Sequence, residues 1–247
     1  MAAPSPQTST AAEVQARLEG LGDAEDARFL QGYFRTVPGQ YGEGDRFLGI
    51  RAPVLRTLVR EYRGMPREEI GRLLRSPWHE ARLLAVLLLA DAYGRGDEQA
   101  RAAIYRLYLD STRWINNWDL VDSSAPHVVG AHLADRDRRV LEELARSGSL
   151  WERRITILAT QHFIRRGDFG TTLRIAELLV HDRHDLIHKA VGWMLREVAN
   201  RDRATAEAFL RRHLAGMPRT MLRYAIEKFP PGLRQRYLRG ELDAIGG

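Results

Sequence analysis

Five segments of this chain begin on charged or polar residues and run into an apolar helical pattern at nearly constant intervals. That recurrence restricts the possible architectures more than any other feature. The segments read EARLLAVLL, NWDLVDSSA, ERRITILAT, IHKAVGWML and MLRYAIEKF; aligned on Arg82, Asp119, Arg154, Lys189 and Arg223 they lie 37, 35, 35 and 34 residues apart. A period near 35 residues accommodates two helices and falls slightly below the roughly 40-residue HEAT unit. Such a unit cannot bury its apolar face alone, so neighbours must stack. The predicted fold is therefore all-α: a right-handed superhelical solenoid of HEAT-like repeats whose curvature leaves a long concave groove.

The remaining pattern agrees. From about Ala12 onward apolar residues recur at helical spacing, with no sustained alternation of the kind a half-buried strand requires. Pro/Gly-rich or polar punctuation at Val37 to Gly44, Arg95 to Asp97, Ser147 to Ser149 and Arg166 to Asp168 predicts short connections between paired helices. Residues 13–247 are expected to form one domain. The Pro/Ser/Thr/Ala-rich stretch from Met1 to Ala12 is expected to be a disordered leader, since it has neither the basic start nor the apolar stretch of a signal peptide. The longest apolar run, Leu83 to Ala90, is far shorter than the roughly 20 residues that span a bilayer.

Charge then suggests a partner. The chain carries 38 Lys+Arg against 32 Asp+Glu, and only Lys189 and Lys228 of those cations are lysines. Guanidinium groups can fork onto phosphates, so a polyanion is a candidate partner, although charge alone does not require one. With no cysteine, disulfides, thiolate metal sites, iron–sulfur clusters and a cysteine nucleophile are excluded, which suits a reducing cytoplasm. Equivalent positions of stacked repeats point the same way. Arg82, Arg154, Lys189 and Arg223 are thus expected to form a cationic ladder, interrupted by Asp119. Ion pairing between neighbouring units is the alternative, but exposed pairs contribute only about 0–1 kcal/mol and need no such regular placement.

Chemistry concentrates in Asn116 to Pro126. Trp118 and Asp122 are four apart, so a helix here presents an indole and a carboxylate on one face, one turn from each other. Pro126 removes a backbone donor and is expected to kink or end that helix, freeing carbonyls near the site. A Trp and an Asp at this spacing can equally be a core aromatic and a helix cap or surface carboxylate. Trp193 changes the balance: it follows the ladder residue Lys189 by four positions, so two indoles and a carboxylate can converge on a basic groove. Aromatics in a cationic cleft suit a sugar or base surface as well as a core.

NNWDLVDSSAP at Asn116 to Pro126, WERRITI at Trp151 to Ile157, KAVGWMLRE at Lys189 to Glu197 and FLGIRAP at Phe47 to Pro53 closely resemble, in order and spacing, the AlkD family of DNA alkylation-repair glycosylases. The resemblance runs from about Ala24 to Phe229. It implies a glycosylase acting on duplex DNA and releasing purines alkylated at ring nitrogen 3 or 7, with contacts to sugar and backbone and without base flipping. It further implies that Trp118, Asp122, Arg154 and Trp193 are the catalytic residues. Arg82, Lys189, Arg223 and Arg51, the last within FLGIRAP, are the expected DNA contacts. An open groove without a base pocket would also tolerate bulky adducts.

Rival sites are weaker. His181, His184 and His188 can share a helical stripe, but no further ligand is spaced to complete a metal site, and no metal or cofactor is expected. Lyase chemistry through a Schiff base would need a desolvated lysine. Lys189 is the one placed near the site, and its repeat position suits phosphate contact better, so a monofunctional enzyme is expected. The competing function is a non-catalytic DNA-binding or protein-binding repeat scaffold. Against it stands Asp122, because a carboxylate in a phosphate groove costs affinity. A cytoplasmic, nucleoid-associated monomer acting on double-stranded DNA, with no membrane partner, completes the expectation.

Overall fold

The computed structural model describes residues 9–241, and all the regular structure among them is helical, apart from one isolated bridge between Arg46 and Trp78. The chain divides into two compact units, Met1–His132 and Leu133–Gly247, where the sequence suggested one span over 13–247.

In the first unit α1 (Ala11–Glu19), α2 (Ala24–Tyr33), α3 (Ala52–Glu61) and α4 (Arg67–Leu73) are followed by α5 (His79–Arg95), α6 (Glu98–Leu109) and the one-turn α7 (Trp118–Asp122). The apolar run Leu83 to Ala90 lies in α5, which is apolar around most of its circumference. A helix of that kind has to be enclosed, and α1, α3, α4, α6 and α7 all pack on it. Leu84, Ala85, Val86, Leu88 and Leu89 are consequently buried.

The leader expected up to Ala12 is shorter than composition suggested. Residues 1–8 lie outside the described residues, but Thr10 caps α1, accepting from the Glu13 amide while the Glu13 carboxylate accepts from the Thr10 amide. This T-x-x-E capping box satisfies two amides that a helix start leaves without partners. Ser9 is already buried.

The second unit contains α8 (Arg139–Ala145), α9 (Leu150–Ala159), α10 (Gln161–Arg165), α11 (Gly170–Leu179), α12 (Asp185–Ala199), α13 (Arg203–His213), α14 (Arg219–Ala225) and α15 (Pro231–Arg239). Here α12 holds the centre, packed by α9, α11, α13 and α14 and burying Ile187, Ala190, Val191, Met194, Leu195 and Val198. Gly192 lets α14 approach it closely: a Cβ there would lie 2.4 Å from the Met221 carbonyl oxygen.

The repeat register survives in three dimensions. Arg82 is the fourth residue of α5, Arg154, Lys189 and Arg223 are the fifth residues of α9, α12 and α14, and Asp119 is the second of α7. Within the second unit the successive repeat helices α9, α12 and α14 pack side by side. The sequence-predicted turns also stand: Asp97 and Ser149 cap α6 and α9, and Gly167 takes the left-handed conformation (φ 78°) after α10.

Candidate active site and nucleic-acid interface

The first unit builds its site on a loop that a single carboxylate organises. Glu80, in the first turn of α5 and 1% exposed, accepts three backbone amides of the FLGIRAP loop: Leu48 at 2.9 Å, Gly49 at 2.8 Å and Ile50 at 3.2 Å. A buried carboxylate needs several donors to offset its lost hydration, and here they are three successive main-chain amides of one loop. Gly49 sits at φ +90° against α2, where a Cβ would come within 2.0 Å of the Asp23 carbonyl oxygen. A residue with a side chain would fit neither the space nor the backbone conformation.

Next to Glu80 lies a buried charge network. His79 contacts Asp45 through Nδ1 (3.2 Å) and Asp119 through Nε2 (2.8 Å); Asp45 also receives the Arg82 guanidinium and the Asn117 side-chain amide (2.8 Å). Burial opposes the charge on His79, but the Asp119 charge and hydrogen bond, joined by those of Asp45, outweigh it and push its pKa up to about 9. Burial likewise opposes the charge on Asp45, yet the His79 hydrogen bond and the Arg82 charge hold it below the usual carboxylate range.

The expected ladder is therefore altered at Arg82 and at Asp119, the residue expected to interrupt it. Arg82 is only 5% exposed and spends its guanidinium on Asp45 and on the Ser76 and Pro77 carbonyls. Its place as a phosphate contact is corrected: a carboxylate 37 residues upstream makes it an internal tie. Asp119 does not interrupt a cationic face, because its carboxylate is turned onto His79.

Trp118 and Asp122, by contrast, come together. Both fall in α7, which Asn117 caps, and both line a cavity of about 580 Å³ together with Phe29, Tyr33, Phe34 and Ser123. That volume lies in the range of small-ligand sites, roughly 300–1,000 Å³. Trp118 is half-buried, stacked on Phe34 (centroids 5.3 Å, planes 18° apart) and met edge-on by Tyr33 at 6.1 Å. Phe29 and Tyr33, one turn apart on α2, stack on each other, line the same cavity and are 56% and 57% exposed. Arg51 lies over Phe29 (4.8 Å) and pairs with Asp26, and its side chain remains 48% exposed. Beyond α7 the chain makes a π-helical turn at Pro126–Gly130. The nearby Ser124 hydroxyl donates to the Leu120 carbonyl (2.6 Å) and accepts from the buried Tyr108 (2.8 Å), whose pKa burial raises well above that of a free phenol. The expectation that Pro126 kinks or ends this helix is corrected: α7 stops at Asp122 with Ser123 as its C-cap, and Pro126 stands in the first turn of the next helical segment, where a missing N–H costs nothing.

The second unit carries the other candidates. Arg154 is 5% exposed and donates to the Leu186 carbonyl at the start of α12 (2.6 Å). Lys189 is half-buried beside Asp185 (2.8 Å), and the half-buried Trp193 follows one turn later on the same side of α12. Arg223 on α14 is exposed. The three histidines have local duties: His184 caps α12 by accepting from the Leu186 amide, His188 contacts the Asp182 carbonyl, and His181 is exposed. No group of three or more metal-ligating side chains occurs among the described residues.

Several site residues escaped sequence reasoning. His79, Glu80 and Asp45 carried no motif of their own, whereas Phe29 and Tyr33 at helical spacing were a readable signal. Arg75 and Arg113 were also missed. They flank Trp114 at 4.9 and 4.6 Å, and neither has a carboxylate partner among the described residues. No helix among those residues is long and apolar enough to cross a membrane.

Residues 14–229 match the family model described as DNA alkylation repair enzyme. A solved structure described as a predicted DNA alkylation repair enzyme from Enterococcus faecalis shares the fold, with a TM-score of 0.64 and 17% identity over 85% of this chain and 97% of that one. No curated protein matches the sequence.

Proposed function

Because the chain belongs to the family of DNA alkylation repair enzymes, we propose that it is a monofunctional DNA glycosylase hydrolysing the N-glycosidic bond of alkylated, cationic purines in duplex DNA. The observation carrying this reading is the pairing of Trp118 and Asp122 on one open, aromatic-walled cavity of the first unit. A purine alkylated at N3 or N7 already bears positive charge and leaves as a neutral base once the bond to C1′ breaks, its electron pair going with the base. The enzyme's task is to stabilise the sugar cation left behind and deliver water to it. Asp122 supplies negative charge beside C1′ and takes the proton of the attacking water, as carboxylates do in sugar hydrolysis. The face of Trp118 lies against the deoxyribose, where its quadrupole favours the growing positive charge.

The family resemblance assigns catalytic roles to Trp193 and Arg154 of the second unit as well. Lys189, Arg223 and Arg51 serve as phosphate contacts, and Arg75 and Arg113 join them as cations with no acidic partner among the described residues. The lesion is attacked without flipping, and the roomy cavity beside Trp118 tolerates bulky adducts as well as methyl groups. A sharp size limit on released bases would end that part of the reading.

Asp122→Asn tests the assignment. The variant is expected to lose base release while binding duplex DNA as well as or better than the wild type, since a carboxylate among phosphates opposes binding. Undiminished release would refute the catalytic role, and release by neither protein would leave a DNA-binding repeat scaffold. Borohydride should trap no covalent DNA adduct; a trapped adduct would overturn the monofunctional assignment.

A further inference from the structure

The buried cluster between α5 and α7 plays no part in the proposed chemistry, yet through Asp119 it is joined to the helix that carries Trp118 and Asp122. His79 is 1% exposed and its two ring nitrogens face different carboxylates, Nδ1 toward Asp45 (3.2 Å) and Nε2 toward Asp119 (2.8 Å). A neutral imidazole has one N–H and can donate to only one of them. Satisfying both requires the imidazolium.

The surroundings fit a cation held in place. From the loop, Asp45 faces the ring, and from α7 Asp119 does. On α5 itself Arg82 occupies the other oxygen of Asp45, and Glu80 is taken up by the loop amides. Asn117 adds a neutral donor to Asp45. The two carboxylates on the ring, Asp45 and Asp119, are thus matched by Arg82 and a protonated His79, while Glu80 is held by neutral amides; a neutral His79 would leave a further buried negative charge without a cation, which is costly. Phe47 stacks on the ring at 4.5 Å and Phe34 lies tilted beside it at 4.9 Å, and Phe34 is the ring on which Trp118 stacks. The helix α7 has five residues, too few to hold itself together without tertiary ties.

We propose that the His79 imidazolium is a positioning residue for the base-release site: by drawing Asp119 onto a buried cation it fixes the only turn of α7, and with it the Trp118 ring and the Asp122 carboxylate. The activity side of this inference rests on the glycosylase reading, whereas its structural side does not. Deprotonation of the ring turns one of its two N–H donors into a lone pair facing a carboxylate, and one contact is lost. With its pKa pushed up to about 9, the ring keeps its proton throughout the neutral range.

The test uses the full-length protein and two variants, His79→Gln and Asp119→Asn, all checked for folding by circular dichroism. Single-turnover base release from duplex DNA carrying a methylated purine is followed from about pH 6 to pH 10.5, with spontaneous loss subtracted. In parallel, the Trp118 indole N–H resonance is titrated without DNA. The wild-type rate and the Trp118 resonance should both change with a midpoint near pH 9. Gln is uncharged and its second polar atom is an accepting oxygen, so it cannot present a donor at both ring-nitrogen positions; His79→Gln should slow release at pH 7 about ten-fold or more, with DNA affinity within about two-fold, and should lack the alkaline midpoint. The carboxamide that Asp119→Asn introduces can donate to a neutral ring, so this variant should slow release less than His79→Gln and also lose that midpoint. A folded His79→Gln within two-fold of the wild-type rate would overturn the inference, as would a Trp118 resonance unchanged through pH 8–10.5 or a midpoint that persists in Asp119→Asn. If His79→Gln fails to fold, the wild-type titration and Asp119→Asn decide the matter. If no protein releases base, the glycosylase reading fails and the Trp118 titration alone judges His79.

Discussion

Replacing Glu80 offers a quantitative probe of how the loop under the site is held. Its two oxygens serve three amides: Oε1 accepts from Gly49 and Ile50, and Oε2 accepts from Leu48. In Glu80→Gln the retained oxygen can keep Gly49 and Ile50, but the new NH₂ faces the Leu48 N–H, donor against donor. One buried amide left without an acceptor costs about 1–3 kcal/mol. Glu80→Ala strands all three, and since such losses are not additive the cost should be about 3–5 kcal/mol. For a chain of this size each kcal/mol lowers Tm by about 2–4 °C. A loss of about 2 kcal/mol thus predicts roughly 4–8 °C for Gln, with about twice that for Ala. Circular dichroism melts give the totals, and amide hydrogen exchange at residues 48–50 locates the loss, which should appear there first in Glu80→Gln. Equal melting of the two variants, or an Ala variant within about 1 °C of the wild type, would refute the reasoning, because it would mean that water or the backbone supplies the missing acceptors.

Two further outcomes follow from charges on either side of the site. His79 has a folded-state pKa of about 9 against an ordinary 6.5, so its contribution is fully present below pH 6.5 and disappears as pH rises through 9; urea unfolding at pH 6 and pH 10 should differ in that direction by a margin on the order of 3 kcal/mol, and a stability flat across that window would contradict it. Arg113, stacked on Trp114 with no acidic partner among the described residues, should contribute one phosphate contact: Arg113→Ala is expected to reduce the slope of log Kd against log salt by about one and to weaken binding to all duplex sequences alike, whereas an unchanged slope would remove it from the interface.

The helices and their repeat were legible because periodicity is a local property of the chain. The 35-residue register placed Arg82, Arg154, Lys189 and Arg223 at equivalent points of four helices, and the spacing of Trp118 and Asp122 put both on one cavity. What a repeat position cannot reveal is the partner of a charged side chain. Arg82 and Arg223 look alike in the register, yet one meets Asp45 in the interior while the other is exposed. Glu80 and His79 were unreadable for a related reason: their partners are loop amides and carboxylates some 30 to 40 residues away, brought near by packing and not by spacing. The start of α1 was a different kind of miss. The capping signal Thr10 to Glu13 was present, and the low-complexity composition around it outweighed it.

The account depends on a sugar left transiently cationic beside Asp122 and Trp118 as its base departs. Incubating the protein with duplex DNA containing a 7-methylated guanine and separating the small-molecule fraction tests this most directly. Free methylated base, appearing with multiple turnovers and leaving an intact strand with an abasic position, is the predicted result. DNA that is bound tightly, with every methylated base still attached to its sugar, would contradict it.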